Sequence, residues 1–496
     1  MAIAPSELLI ARNPATGAEL GRVDAAPLED LAAIVETARA AQSRWSQLAW
    51  RDRREVLKRW WTVLARDADG WADSLRDEIG KPRPEAMSEV VATLDALRWT
   101  VKNAGRALAG SRLGPGWQRW LLLPAGRLEW RPFGVVGMIG TWNYPLYLNA
   151  PPIAHAIAAG NAVVWKPSEL APGVGLRLQQ SLEEAGMPAS LVTAVFGGTD
   201  VGRALVGSAI DKGMFTGGIE NGLRVLGELG RRGIPALAEL SGFDPAIVLP
   251  DAPVEKTVPA IAWAAFVAGG QACIAIKRVY VVGDPDPWAG ALAAQARSLR
   301  VGDPAACDVD MGPLISEAAR DRFQQKIDAA VRAGARVLTG GNPLPGPGWF
   351  YAPTVLLADG PEPETALAGC FGPLIVVRGM ADPDAAVAAA NASAYGLAAS
   401  VWSRDVRAAR VLAGRLEAGM IGINEAVLPS AHAAAPFGGV KASGYGRVHG
   451  VLGLREFVQP VTIHSRAPGG LRPHLFPYSA RLGGLLGLYR RLFHPR

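Results

Sequence analysis

The chain has 496 residues, 49% of them hydrophobic and 19% charged, so it is too long for a single core and too apolar to be disordered. Its net charge of +6 is carried by one end: His464 to Arg496 holds six arginines and no Asp, Glu or Lys, while the body before it balances 45 basic against 45 acidic residues. That distribution excludes a nucleic-acid surface spread over the fold.

The three cysteines, Cys273, Cys307 and Cys370, form no C-x-x-C pair and no cluster with histidine. Neither a disulfide framework nor a metal site is expected, and a reducing compartment fits. The start, "MAIAPSELLIARNPATG", is interrupted by Glu7 and Arg12, which argues against a secretory signal and for a cytoplasmic protein. The most membrane-like stretch, Ala260 to Ile276, contains Gly269, Gly270 and Gln271. It is too short to span a bilayer and reads as a buried helix running into a strand.

From Leu28 to Ala109 apolar residues recur at three and four, the spacing of helices. Glycine and proline then punctuate short strand-like runs from Gly110 to Gly140. Beyond them strands are predicted at Val135–Ile139, Ala162–Trp165, Leu191–Phe196 and Lys212–Phe215, alternating with helices at Pro152–Ala159, Val174–Ala185 and Asp200–Gly207. Such alternation argues for βαβ units and a parallel sheet, an α/β fold. After Glu239 the pattern resumes, with strands in "AIVLP" and "RVYVVG" and amphipathic helices in "PWAGALAAQARSLR" and "SEAARDRFQQKIDAAVRAG". The body ends near Ile463, and "SRAPGGLRP" links it to a last helical piece.

Several short motifs carry chemistry. Cys273 in "GGQACIAIKRV" is a buried core thiol, the commoner use of a cysteine, or a nucleophile, a reading that the paired glycines before it support because they let backbone approach a ligand. Glu239 in "PALAELSG" sits among small and apolar residues, which raise a carboxylate's pKa toward that of a general base. Asn143 in "TWNYP" is a turn residue or an amide donor. Lys166 and Glu169 in "VVWKPSE" fall just past a strand's carboxyl end, where open α/β sheets bind ligands. The turn "FTGGIENG" combines glycines with a helix start, a phosphate-binding arrangement.

In their order and intervals these motifs, with "PFGGVKASGYGRVHG", resemble the aldehyde dehydrogenase superfamily over roughly residues 10 to 460. The resemblance implies a Rossmann-type coenzyme domain (1–116 and 131–242), an α/β catalytic domain (243–441) and oligomerisation elements (117–130, a hairpin from Trp117 to Trp130, and 442–463), followed by a basic amphipathic tail (464–496). It implies that Cys273 is the nucleophile, that Glu239 activates water, and that Asn143 with the Cys273 N–H holds the oxyanion. Lys166, Glu169, Thr216, Gly217, Gly218, Gly222 and Phe371 would bind the cofactor, and Trp142 and Tyr147 the substrate. Glu169 would repel a 2′-phosphate, which favours NAD and leaves NADP as the alternative.

Two positions depart from the family pattern. Gly218 stands where a serine is usual, and Gly369 replaces the glutamate that holds the nicotinamide ribose. In the tail, Leu482, Leu485, Leu486, Tyr489, Leu492 and Phe493 share one helical face flanked by Arg481, Arg490 and Arg491, the pattern of an interfacial membrane helix or of a helix docked on protein. The expected protein is a cytoplasmic NAD(P)-dependent aldehyde dehydrogenase, a homo-oligomer acting on a hydrophobic or long-chain aldehyde, with its tail either docked on the body or a neighbouring subunit or, as the alternative, in contact with a membrane surface. Its rivals are a CoA-acylating and a non-catalytic member of the superfamily.

Overall fold

The computed structural model describes residues 8–114, 124–466, 472, 474–478 and 480–495. The chain divides into two compact units, one of residues 1–107 and 132–458 and one of 108–131 and 459–496.

The larger unit holds two sheets. In the first, Ala236–Glu239, Lys212–Thr216, Val135–Ile139, Ala162–Lys166 and Val192–Ala194 run parallel in that spatial order. The short strand Gly444–Tyr445 closes its edge antiparallel to Ala236–Glu239. Four of these strands are those expected from the alternation; their helices, including Ala150–Ala159 with every residue buried, cover the faces. The second sheet has seven strands in the order Arg336–Thr339, Thr354–Leu357, Leu374–Met380, Ile276–Val282, Asp244–Val248, Ala398–Trp402 and Met420–Ile423. Only its first pair is antiparallel. The strand Ile276–Val282 lies at its centre with all seven residues buried, as a parallel sheet covered on both faces requires.

The helical N-terminal run resolves into Leu31–Ser46, Trp50–Arg66, Ala68–Ile79 and Arg83–Ala107. A hairpin of Leu8–Arg12 and Glu19–Asp24 precedes it; its mostly exposed residues gave no strong alternation to read.

Two expectations change. Ala260 to Ile276 is not one helix entering a strand. The helix Val254–Phe266 ends first, and Ala268, Gly269 and Gly270 turn left-handed at φ 54, 64 and 67°. Residues 442–458 also belong to the larger unit, because Gly444 pairs with Glu239, Lys212 Nζ lies 3.1 Å from Glu456 Oε2, and Asn161 Nδ2 donates to Phe457 O at 2.8 Å.

The smaller unit contains a three-stranded sheet ordered Val458–Ser465, Ala125–Pro132, Ser111–Leu113. The first part of the expected hairpin, Trp117 to Leu123, lies outside the described residues. Its C-terminal helix, Ala480–Phe493, has no buried residue and exposes Leu485, Leu486, Leu488, Leu492 and Phe493. Among the described residues, no helix is long and apolar enough to cross a membrane.

Candidate active site

Cys273 sits where two cavities meet. It lines both an apolar channel and a second cavity bordered by Thr216, Gly217, Gly218, Glu239 and Phe371. Its loop is held by side chains from distant segments. Glu85 accepts the Ala268 N–H at 2.9 Å, and Gln271 donates to Ala268 O at 3.0 Å while accepting from Ile315 N at 2.9 Å. An alanine in the left-handed region costs about 1 kcal/mol, so this turn persists only because such contacts fix it.

Asn143 is buried. Its Nδ2 donates to Gln271 O at 2.9 Å, and its Oδ1 accepts from Thr141 Oγ1 at 3.1 Å. These bonds fix which end of the amide carries hydrogens. One N–H is tied to the cysteine loop, and the other is left for a ligand in the cavity that Asn143 shares with Cys273.

Glu239 ends its strand opposite Thr216 and is 5% exposed, yet neither carboxylate oxygen has a hydrogen-bond partner among the described residues. Burial raises its pKa well above the usual carboxylate range, against the pull of Arg447. Gly438 packs against this carboxylate: an added Cβ would lie 2.7 Å from Glu239 Oε1 and 2.8 Å from the Gly446 carbonyl oxygen. Burial, then Asp244 and Glu239, push the Cys273 thiol up to about 12, while the N–H groups of Cys273 and Ile274 pull it down. The resting sulfur is a thiol facing an acid, and attack requires its proton to leave.

Lys166 Nζ donates to Pro167 O at 2.9 Å, Glu169 Oε2 at 3.0 Å and Gly197 O at 2.8 Å. Its partner Glu169 is half-exposed beyond the strand end. Gly218 caps the helix Ile219–Arg231, with open space where its Cβ would stand, and at Gly217 a Cβ would meet the Phe215 ring at 2.9 Å. A bare backbone at a helix start, beside a lysine–glutamate pair at the sheet's carboxyl edge, fits a dinucleotide's pyrophosphate and ribose.

Two expected site residues, and one departure from the family pattern, read differently here. Gly222 does not line the cavity: its Cβ would come 2.3 Å from Leu240 Cδ2, so it lets the helix close on the sheet. Trp142 borders the Phe371 side, edge-on to that ring at 5.7 Å and 83°, and is absent from the apolar channel. Gly369 has φ +74° and room only for a Cβ 3.0 Å from Tyr395 Oη, so the backbone at this position disfavours any glutamate. Tyr147 stays in the channel, bonded to Ser430 O at 2.8 Å and stacked on His449 at 5.0 Å.

Sequence reasoning missed Trp263, Val427 and Phe437 in the channel wall, and Glu85, Gln271 and Lys277 behind the cysteine. Gln271, Lys277 and Phe437 lie inside quoted motifs, but nothing local shows which way they face, and the others come from separate segments that carry no motif. Channel and cavity meet at a half-buried thiol beside an acid, and with a sheet edge that fits a dinucleotide the arrangement is that of a dinucleotide-dependent oxidoreductase.

Residues 4–463 match the model of the aldehyde dehydrogenase family. A succinate-semialdehyde dehydrogenase of Paenarthrobacter nicotinovorans is 36% identical, the match covering 88% of this chain and 97% of that protein. The crystal structure of a Mycobacterium tuberculosis aldehyde dehydrogenase complexed with NAD+ superposes with a TM-score of 0.89 at 29% identity, over 94% of this chain and 96% of that one. An Escherichia coli NADP-dependent enzyme gives 0.87 at 29% identity, over 92% and 94%. The chain belongs to the aldehyde dehydrogenase family, and it is an NAD(P)-dependent aldehyde dehydrogenase.

Proposed function

We propose that this enzyme oxidises an uncharged, apolar aldehyde to its carboxylic acid, with Cys273 as nucleophile and Glu239 as base. The observation that carries the substrate class is the wall of the channel leading to Cys273. Tyr144, Tyr147, Trp263, Val427 and Phe437 line it, its charged members are Glu85 and Glu89, and no Lys or Arg is among its described lining residues. Lys81, close behind it, is spent on Glu89 and on the Tyr144 ring at 3.4 Å. Burial lowers His449 to a pKa of about 4, so that ring is neutral. A substrate carboxylate would lose its water here, beside two acids and without a cation.

The roles follow from position. The Cys273 sulfur, once its proton has passed to solvent, adds as the thiolate to the carbonyl carbon, and the free Asn143 N–H with the Cys273 N–H receives the developing oxyanion. When bound, NAD or NADP supplies the hydride acceptor. Lys166, Glu169, Thr216, Gly217 and Gly218 would hold the dinucleotide, and Phe371 and Trp142 would wall its nicotinamide end. Glu239 takes a proton from water, whose oxygen adds to the carbonyl carbon of the thioester; the C–S bond then breaks, releasing the carboxylic acid and the Cys273 thiolate. A base beside the thioester supports hydrolysis over transfer to coenzyme A.

The test is a panel from acetaldehyde to decanal, with benzaldehyde and succinate semialdehyde, using NAD and NADP with and without coenzyme A. The expected kcat/KM for octanal exceeds that for succinate semialdehyde by about 10²-fold or more, since each buried methylene adds roughly 0.8 kcal/mol. Equal or better use of the semialdehyde overturns the substrate class, a requirement for coenzyme A favours the acylating rival, and no reduction with any aldehyde favours a non-catalytic member.

The smaller unit's sheet supports a homo-oligomer built by strand addition at its edge. Its exposed C-terminal helix, with arginines and no acid, supports a peripheral contact with anionic lipid. Full-length protein is expected to pellet with phosphatidylglycerol vesicles and a version ending at Ile463 to stay in solution; equal pelleting removes the lipid contact.

A further inference from the structure

We propose that Lys277 is a positioning residue whose side-chain nitrogen clamps the nucleophile's loop to the loop carrying Phe371, fixing the spacing between the reactive sulfur and the aromatic wall of the cofactor cavity. This rests on the dehydrogenase reading above.

Lys277 stands in a central strand whose other residues are apolar except Arg278 and Tyr280, and it is 2% exposed. Its Nζ donates to Gly270 O at 2.7 Å and to Gly372 O at 2.5 Å. The first carbonyl is three residues before Cys273, and the second directly follows Phe371. Two carbonyl oxygens aimed at one point repel each other unless a donor stands between them. The loops also touch at that point: a Cβ on Gly270, at φ +67°, would fall 2.2 Å from Gly372 O. Contact holds the loops from approaching further, and the shared donor holds them from separating.

An apolar residue would satisfy the packing of this strand without the desolvation a buried amine incurs. The lysine therefore serves the two carbonyls. Burial lowers its pKa to about 8, and the neutral amine still has two N–H donors, so the clamp holds on either side of that value. What it controls is fine distance: a displacement of about 1 Å at reacting atoms costs on the order of 10²-fold in rate.

The test uses full-length Lys277→Met, which removes both donors, and Lys277→Gln, which keeps a shorter one. Thermal melts, octanal kinetics with NAD, and the rate of Cys273 alkylation by iodoacetamide are measured on each. The expected result for a folded Lys277→Met is a kcat lower by roughly 10²-fold with both KM values within about threefold, an intermediate kcat for Lys277→Gln, and alkylation changed by about tenfold or more. A folded Lys277→Met with kcat within about threefold of the parent, or an activity loss that only follows the folded fraction, overturns the proposal. Absence of a cooperative melt in both variants overturns it in favour of a purely structural lysine. If the parent protein reduces no cofactor with any aldehyde, the dehydrogenase reading fails separately, and the alkylation ratio decides: an unchanged ratio overturns the clamp.

Discussion

Cys273→Ala is expected to lower kcat by about 10⁴-fold or more at every pH while leaving cofactor binding intact, because it deletes the only atom that adds to the carbonyl. The other thiols do not substitute for it. Cys370 is buried in the packing of the second sheet, and Cys307 is exposed and absent from both cavities. The environment of Cys273 also fixes a pH signature. With its pKa pushed to about 12, chiefly by burial and then by Asp244 and Glu239, the free enzyme holds mostly thiol through the neutral range. The thiolate fraction then grows tenfold per pH unit, so alkylation by iodoacetamide should rise from pH 7 to 10 with a logarithmic slope near one. A plateau below pH 9 would mean a sulfur already ionised and a different activating charge. Adding NAD should raise the alkylation rate at fixed pH if its cationic ring comes near the sulfur, since a nearby positive charge favours the thiolate.

Much of this site was legible because its chemistry sits at strand ends, where sequence is local. The strands expected at Val135–Ile139, Ala162–Trp165 and Lys212–Phe215 fall within the observed Val135–Ile139, Ala162–Lys166 and Lys212–Thr216, and the motifs beside them put Asn143, Lys166 and the glycine turn at those strand ends. The channel was not legible. Its wall draws on residues 84–92, 144–148, 263–274 and 427–449, and facing across such separations is set by tertiary packing alone. Ala268 is the sharpest case, since nothing about an alanine announces a left-handed turn. Its conformation is held partly by Glu85, 183 positions earlier. Gly222 is the opposite case: a glycine in a phosphate-like motif also serves where a helix must lie close on a sheet, and sequence does not distinguish the two uses.

Glu239→Gln should separate the two halves of the reaction. The amide keeps the shape of the side chain and cannot take a proton, so the first turnover is expected to proceed, with a burst approaching one reduced cofactor per site. Steady-state turnover should then fall by about 10²- to 10⁴-fold, the usual worth of a general base. Cys273→Ala gives no burst, so the pair distinguishes acid release from addition; an absent burst in Glu239→Gln, or unchanged turnover, removes Glu239 as the water-activating base. Stability should move the other way. The folded chain holds the Glu239 proton well above the usual carboxylate range, whereas the unfolded chain releases it within that range. Between those limits the folded state binds the extra proton, so the parent loses stability as pH rises. Glutamine does not titrate, and the melting temperature of Glu239→Gln relative to the parent should therefore increase from pH 5 to pH 8. A variant that is more stable and less active is what a buried, unpartnered carboxylate kept for chemistry predicts.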